Sequence, residues 1–111
     1  MSSNTWGDTK QDLLNKRGRF CECGCGKEAH DLHHAFIHNI RKGGKTKWPE
    51  LNDPRALILV NHEEHIARKF DTLFWRRRFW ARQIVRYGEE AMQEWIDSLP
   101  DKLKMTRLDF L

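Results

Sequence analysis

The sequence predicts a small α+β domain, and three observations carry the prediction. Two short stretches of strand character lie at residues 31–37 and 56–60, a helix-start signal follows the second at Asn61, and apolar residues recur at helical spacing on both flanks. The chain of 111 residues reads as one domain over 1–111. That length buries about 65% of the unfolded surface, enough for a core without disulfides.

The elements follow in chain order. Residues 8–17 read as an N-terminal helix with an Asp8/Gln11 capping box, Leu13 and Leu14 as its apolar positions and Gly18 as its stop. In residues 31–37 polar and apolar positions do not alternate cleanly, yet Leu32, Ala35, Phe36 and Ile37 fit a short strand followed by a turn. Pro54 keeps Asp53 out of helical conformation, and Leu57 to Val60 is a continuous apolar run of the kind found in buried strands. Asn61 then suits an N-cap, its side chain accepting from the Glu64 amide while Glu64 reaches back. From His62 the helical pattern runs to Tyr87 through Ile66, Phe70, Leu73, Phe74, Trp80, Ala81, Ile84 and Val85, and Gly88 ends it. A further helix covers about 89–99 before Pro100. Trp75, Trp80 and Trp95 are expected to pack rather than to stack on bases. Residues 71–111 thus form a helical C-terminal extension to a core at about 20–70.

All six histidines fall between positions 30 and 65, four of them in the clusters Asp31-Leu32-His33-His34-Ala35-Phe36 and Leu59-Val60-Asn61-His62-Glu63-Glu64-His65. Neutral imidazole is a common metal ligand, and an unligated neighbour is a ready general base near neutral pH. The clusters therefore suggest a metal-dependent active site. A lone His in a polar stretch is usually only solvated, which is the expectation for His30, His38 and His62.

The adjacent His33-His34, the basic glycine-containing loop after them, the strand at 56–60 and a capped helix carrying His65 resemble the HNH endonucleases, whose core is the ββα-metal finger. The resemblance covers about residues 20–70. It implies such a finger here, flanked by the N-terminal and C-terminal helices. It implies a DNA endonuclease in which His33 and His65 hold one divalent ion (magnesium, manganese, nickel or zinc) and His34 activates water. Products would carry a 5′ phosphate and a 3′ hydroxyl. The small free-standing members found in phages and mobile elements are the nearest in kind, so the expected compartment is the cytoplasm, the host's if phage-encoded.

The chain departs from the family in two places. Ala56, nine residues before His65, stands where the family has the Asn that orients the base; Asn52 and Asn61 are nearby. Lys69 stands where colicin-type relatives have a further His. The alternative expectation is accordingly a zinc-stabilised DNA-binding module whose catalysis is weakened or lost. An RNase or toxin domain is a third reading.

Cys21, Cys23 and Cys25 alternate with Glu22 and Gly24, and glycines permit the sharp turns of a zinc knuckle. Many HNH proteins carry a structural zinc on two cysteine pairs; here Asn61 and Glu64 hold the places of the second pair, and a full site would need His30 or His62 as fourth ligand. The other reading is a tight turn with free thiols. Three cysteines make a disulfide framework unsuited, and with no secretory apolar segment before them a reducing cytosol is expected.

No apolar stretch approaches membrane-spanning length. A formal charge of +4 and a pI near 9.2 suit a polyanionic partner. The loop residues Arg41, Lys42, Lys45 and Lys47 have no acid among them, and the adjacent Gly43-Gly44 lets them follow a phosphate backbone. Arg68, Lys69, Arg76, Arg77, Arg78, Arg82 and Arg86 line the helical region against the single acid Asp71, as either a DNA face or an ordinary solvated one. Contacts of this kind give salt-dependent affinity and little sequence information. DNA is the expected partner, and a dimer is compatible with the sequence.

Overall fold

Two antiparallel strands carry the centre of the molecule. In the computed structural model, which describes residues 6–36 and 52–99, the order is α1 (Trp6–Arg17), β1 (Asp31–His34), a 3-10 turn (Pro54–Ala56), β2 (Leu57–Val60), α2 (His62–Ile66), α3 (Leu73–Tyr87) and α4 (Glu89–Ser98). The basic loop with Arg41, Lys42, Lys45 and Lys47, together with Ile37, His38 and residues 100–111, lies outside the described residues.

The strands pair as Asp31↔Val60, Leu32↔Leu59, His33↔Ile58 and His34↔Leu57. Every residue of β2 is fully buried because both faces of the sheet are covered, which is why the run shows no polar alternation. On one face Leu32, Leu57 and Leu59 pack with Leu13 of α1 and Ala29. On the other, Ile58 and Val60 join Phe36, Phe70, Phe79, Met92, Trp95 and Ile96 in the larger core. Trp95 is fully buried and Trp75 and Trp80 pack against the same cluster, so the tryptophans pack as expected.

The helix ends have identifiable causes. Gly18, at φ +99°, donates its amide to Leu14 O at 3.0 Å and stops α1. The helix begins at Trp6, so Asp8 lies inside it and the expected Asp8/Gln11 box does not start it; Gln11 instead donates to Asn15 Oδ1 at 3.0 Å. Asn61 is extended at φ −67° and ψ 136°, and its Oδ1 accepts from the Glu64 amide at 3.2 Å, as an N-cap should. Asn61→Ala also removes the bond from Nδ2 to Glu28 O at 3.0 Å. The expected cost is about 1–2 kcal/mol in a thermal or urea melt.

The continuous helix predicted from His62 to Tyr87 is broken. The chain leaves α2 after Ile66, passes through Arg68 at φ +60° and restarts where Thr72 Oγ1 accepts from the Trp75 amide at 3.3 Å. The break lets Phe70 turn inward, where it is 1% exposed and packs on Phe79 and Trp75. Helical spacing alone does not reveal this, because Ile66, Phe70, Leu73 and Phe74 keep helical spacing across the break although Ile66 and Phe74 are exposed.

Charged groups tie the layers together. The Glu22 side chain is 2% exposed and meets Arg17 of α1 at 3.1 Å, Arg82 of α3 at 3.0 Å and Arg86 of α3, while the Leu59 amide of β2 donates to it at 2.7 Å. Burial pushes the Glu22 carboxyl up, but the Leu59 amide, Arg17 and Arg86 outweigh it and hold the group below the usual carboxylate range. Gln83, fully buried, donates to the carbonyls of Pro54, Arg55 and Leu57 at 3.2, 2.9 and 3.3 Å and so clamps the turn that leads into β2.

Candidate metal centre and histidine site

The cysteines sit on a loop closed by its own backbone. Phe20 bridges Glu28, Cys21 N donates to Lys27 O at 2.8 Å, and Gly24 N returns to Cys21 O at 3.2 Å. Gly24 and Gly26 take φ of +89° and +84°, left-handed values that a side chain would strain. The turns bring Cys21 Sγ within 3.2 Å of Cys23 Sγ. The fourth member comes from α2: Glu64 Oε1 lies 3.5, 3.5 and 3.0 Å from the sulfurs of Cys21, Cys23 and Cys25.

All four donor atoms fall within 4.8 Å of one another, and among the described residues no other such group of three or more occurs. The donor set fits zinc. Tetrahedral zinc with S and O ligands separates donors by about 3.5 Å for S···O and about 3.8 Å for S···S. Two observed S···O distances match that spacing, while Cys25 Sγ to Glu64 Oε1 at 3.0 Å and Cys21 Sγ to Cys23 Sγ at 3.2 Å are shorter. Cys21, Cys23, Cys25 and Glu64 together can therefore hold a metal ion such as zinc.

The fourth donor is thus Glu64, where the sequence pointed to His62 or His30. His62 Nδ1 lies instead 2.7 Å from Asp31 Oδ2, and His30 pairs with Glu28 at 3.8 Å. Sequence reasoning gives Glu64 a capping role, yet its carboxylate does not reach back to Asn61. The available signal was its position in the place of a missing cysteine. Hydrogen bonds from Cys25 and then Lys69 hold the Glu64 carboxyl down at about 2, and burial pushes the Cys21 thiol up to about 12. Lys69, expected to face DNA, has its Nζ 2.7 Å from Glu64 Oε2 and 3.7 Å from Cys23 Sγ.

His33, His62 and His65 gather with Asp31 on the neighbouring side of α2. Strand alternation puts Asp31 and His33 on one face of β1 and His34 on the other. His33 is 5% exposed, and its ring meets His65 edge-on with centroids 5.1 Å apart, backed by Phe70 at 5.8 Å and Phe79 at 6.3 Å. Asp31 Oδ2 lies 2.9 Å from His65 Nδ1 as well as beside His62. Burial raises the Asp31 carboxyl, but the His65 and His62 hydrogen bonds prevail and leave it below its ordinary value. Sequence reasoning misses Asp31, although its spacing of two from His33 places both on one strand face.

His34 lies at the end of β1, its Nε2 3.4 Å from Asn52 Oδ1. Of the two nearby asparagines, Asn52 meets His34 and Asn61 caps α2. Ala56 is 3% exposed in the main core, its carbonyl accepting from Ala35 N at 3.2 Å. An amide side chain there would enter an apolar site.

The arginines divide. Arg82 and Arg86 are committed to Glu22, Arg76 is buried at 8% exposure, and Arg78 stacks over Phe74 and Trp75 at 5.5 and 5.7 Å. Arg68 and Arg77 are exposed. Among the described residues no helix is long and apolar enough to cross a membrane. Comparison of the chain with protein families, curated proteins and solved structures finds no match.

Proposed function

We propose that the protein is a metal-dependent phosphodiesterase acting on DNA, an HNH-like endonuclease with a structural zinc on Cys21, Cys23, Cys25 and Glu64. The carrying observation is the hairpin-to-helix arrangement that sets His33 against His65, ring centroids 5.1 Å apart, and places His34 beside Asn52.

In this reading His33 and His65 hold the catalytic ion, with Asp31 orienting His65 through its Nδ1. The ion would supply Lewis-acid stabilisation to the scissile phosphate and its leaving oxygen. His34 removes the proton from the attacking water. Nε2–H donation to Asn52 Oδ1 leaves Nδ1 as the basic nitrogen and gives Asn52 the orienting role that Ala56 lacks. Arg41, Lys42, Lys45 and Lys47 contact the backbone of the nucleic acid.

The second reading is a binding-only finger. It is favoured by Ala56, buried at 3% exposure where the resembled family has Asn. Supercoiled-plasmid cleavage with magnesium, manganese, nickel or zinc and an EDTA control tests the choice. Nicking that requires a metal is expected; no cleavage with any metal, alongside salt-sensitive DNA retention, leaves the binding-only reading standing.

A further inference from the structure

We infer that Glu64 is a positioning residue for the histidine site: bound to a metal with the three cysteines, it fixes α2, and α2 fixes His65. This rests on the reading of both centres given above. None of the five residues of α2 is buried, and Ile66 is 66% exposed, so no apolar side chain anchors it. A helix of this length has no stability of its own.

Polar contacts are what hold α2, and they pull on two sides. At its start the Asn61 side chain caps the Glu64 amide and bonds Glu28 O. On one side His62 and His65 meet Asp31 of β1. On the other Glu64 enters the thiol cluster, braced by Lys69. Consecutive residues Glu64 and His65 therefore belong to different centres. A shift of one helix face against the cysteine loop displaces the other against the strand.

Metal occupancy decides how firmly the cysteine side holds. Thiols are weak donors to a carboxylate, whereas bonds from a common ion to three sulfurs and one oxygen constrain Glu64 in distance and angle. Four anionic donors on a divalent ion leave the centre negative. Lys69, on the chain segment leaving α2, is placed to offset that charge through both Glu64 and Cys23. His65 then inherits its register from the metal.

The test compares wild type, Glu64→Ala and Glu64→Cys, without DNA. Cobalt(II) absorption reports whether the site binds tetrahedrally through thiolates. One equivalent of zinc is then added while the His65 ring resonances and amide exchange at His65 and Ala67, whose amides donate to Asn61 O and Glu63 O, are followed. We expect zinc to shift the His65 ring and slow those amides at least tenfold in wild type. Glu64→Ala should lose both effects while β2 amides stay protected, and Glu64→Cys, a better zinc ligand, should restore them. Tetrahedral cobalt binding with an unchanged His65 and unchanged α2 exchange overturns the coupling and leaves the zinc site intact. No thiolate-cobalt band in wild type overturns the zinc site and the coupling together. Cleavage activity enters neither outcome.

Discussion

Replacing Glu22 by alanine will destabilise the protein by about 3–5 kcal/mol, the range for breaking a buried ion pair from one side. The carboxylate serves Arg17, Arg82 and Arg86 at once, and the Arg17 side chain, 3% exposed, cannot turn to water when its partner goes. The substitution also strips the acceptor from the Leu59 amide in the buried strand β2. A thermal melt should show the midpoint falling by roughly 12 °C or more. Glu22→Gln retains an acceptor for Leu59 and loses only the charge, so it should fall between the two. The pH dependence has a definite sign. Because the folded carboxyl lies below its ordinary 4.5, its contribution is full above that value and is lost as pH falls through the lower folded one. The Gln variant should lack that part of the acid limb. A Glu22→Ala loss under about 1 kcal/mol would show that the arginines find other partners.

Glu22 also marks where the sequence stops being legible. The strands and the Asn61 cap follow from local signals: Pro54 fixes the approach to β2, the apolar run marks a strand covered on both faces, and Asn61 stands where the run ends. The histidine face was equally open to reading, since strand alternation and helix phase place His33 and His65 toward each other. Long-range polar contacts were not. Nothing in the periodicity says that an acid between two cysteines will be claimed by arginines on helices before and after it, or that Lys69 will reach the thiol cluster. Glu64 fits a capping box by local rules. It goes to the cysteines because the loop brings three polar sulfurs within reach and Lys69 supports the displaced carboxylate. The break after α2 is likewise hidden: Phe70 enters the core after the chain turns at Arg68, and the helical spacing of Ile66, Phe70, Leu73 and Phe74 runs across that turn without marking it.

His34→Ala and His65→Ala should separate in a way that only one role for each residue explains. If His34 is the base, its loss should lower metal-dependent plasmid nicking by about 10²–10⁴-fold, while affinity for the catalytic ion, followed by calorimetry with the cysteine site preloaded with zinc, stays within about threefold of wild type. His34 lies on the β1 face opposite His33 and bonds Asn52, so removing it leaves the His33–His65 contact in place. His65→Ala should lose both binding and cleavage, because it removes one of two imidazoles and deprives Asp31 of the partner 2.9 Å away. Asn52→Ala is the finer probe. If Asn52 fixes the His34 tautomer, its loss should lower turnover about tenfold or more without changing metal affinity, and Asn52→Asp, which keeps an oxygen acceptor, should recover part of it. Equal metal affinity in wild type, His34→Ala and His65→Ala would remove His65 from the ligand set. Full cleavage by His34→Ala would move the base elsewhere on the finger.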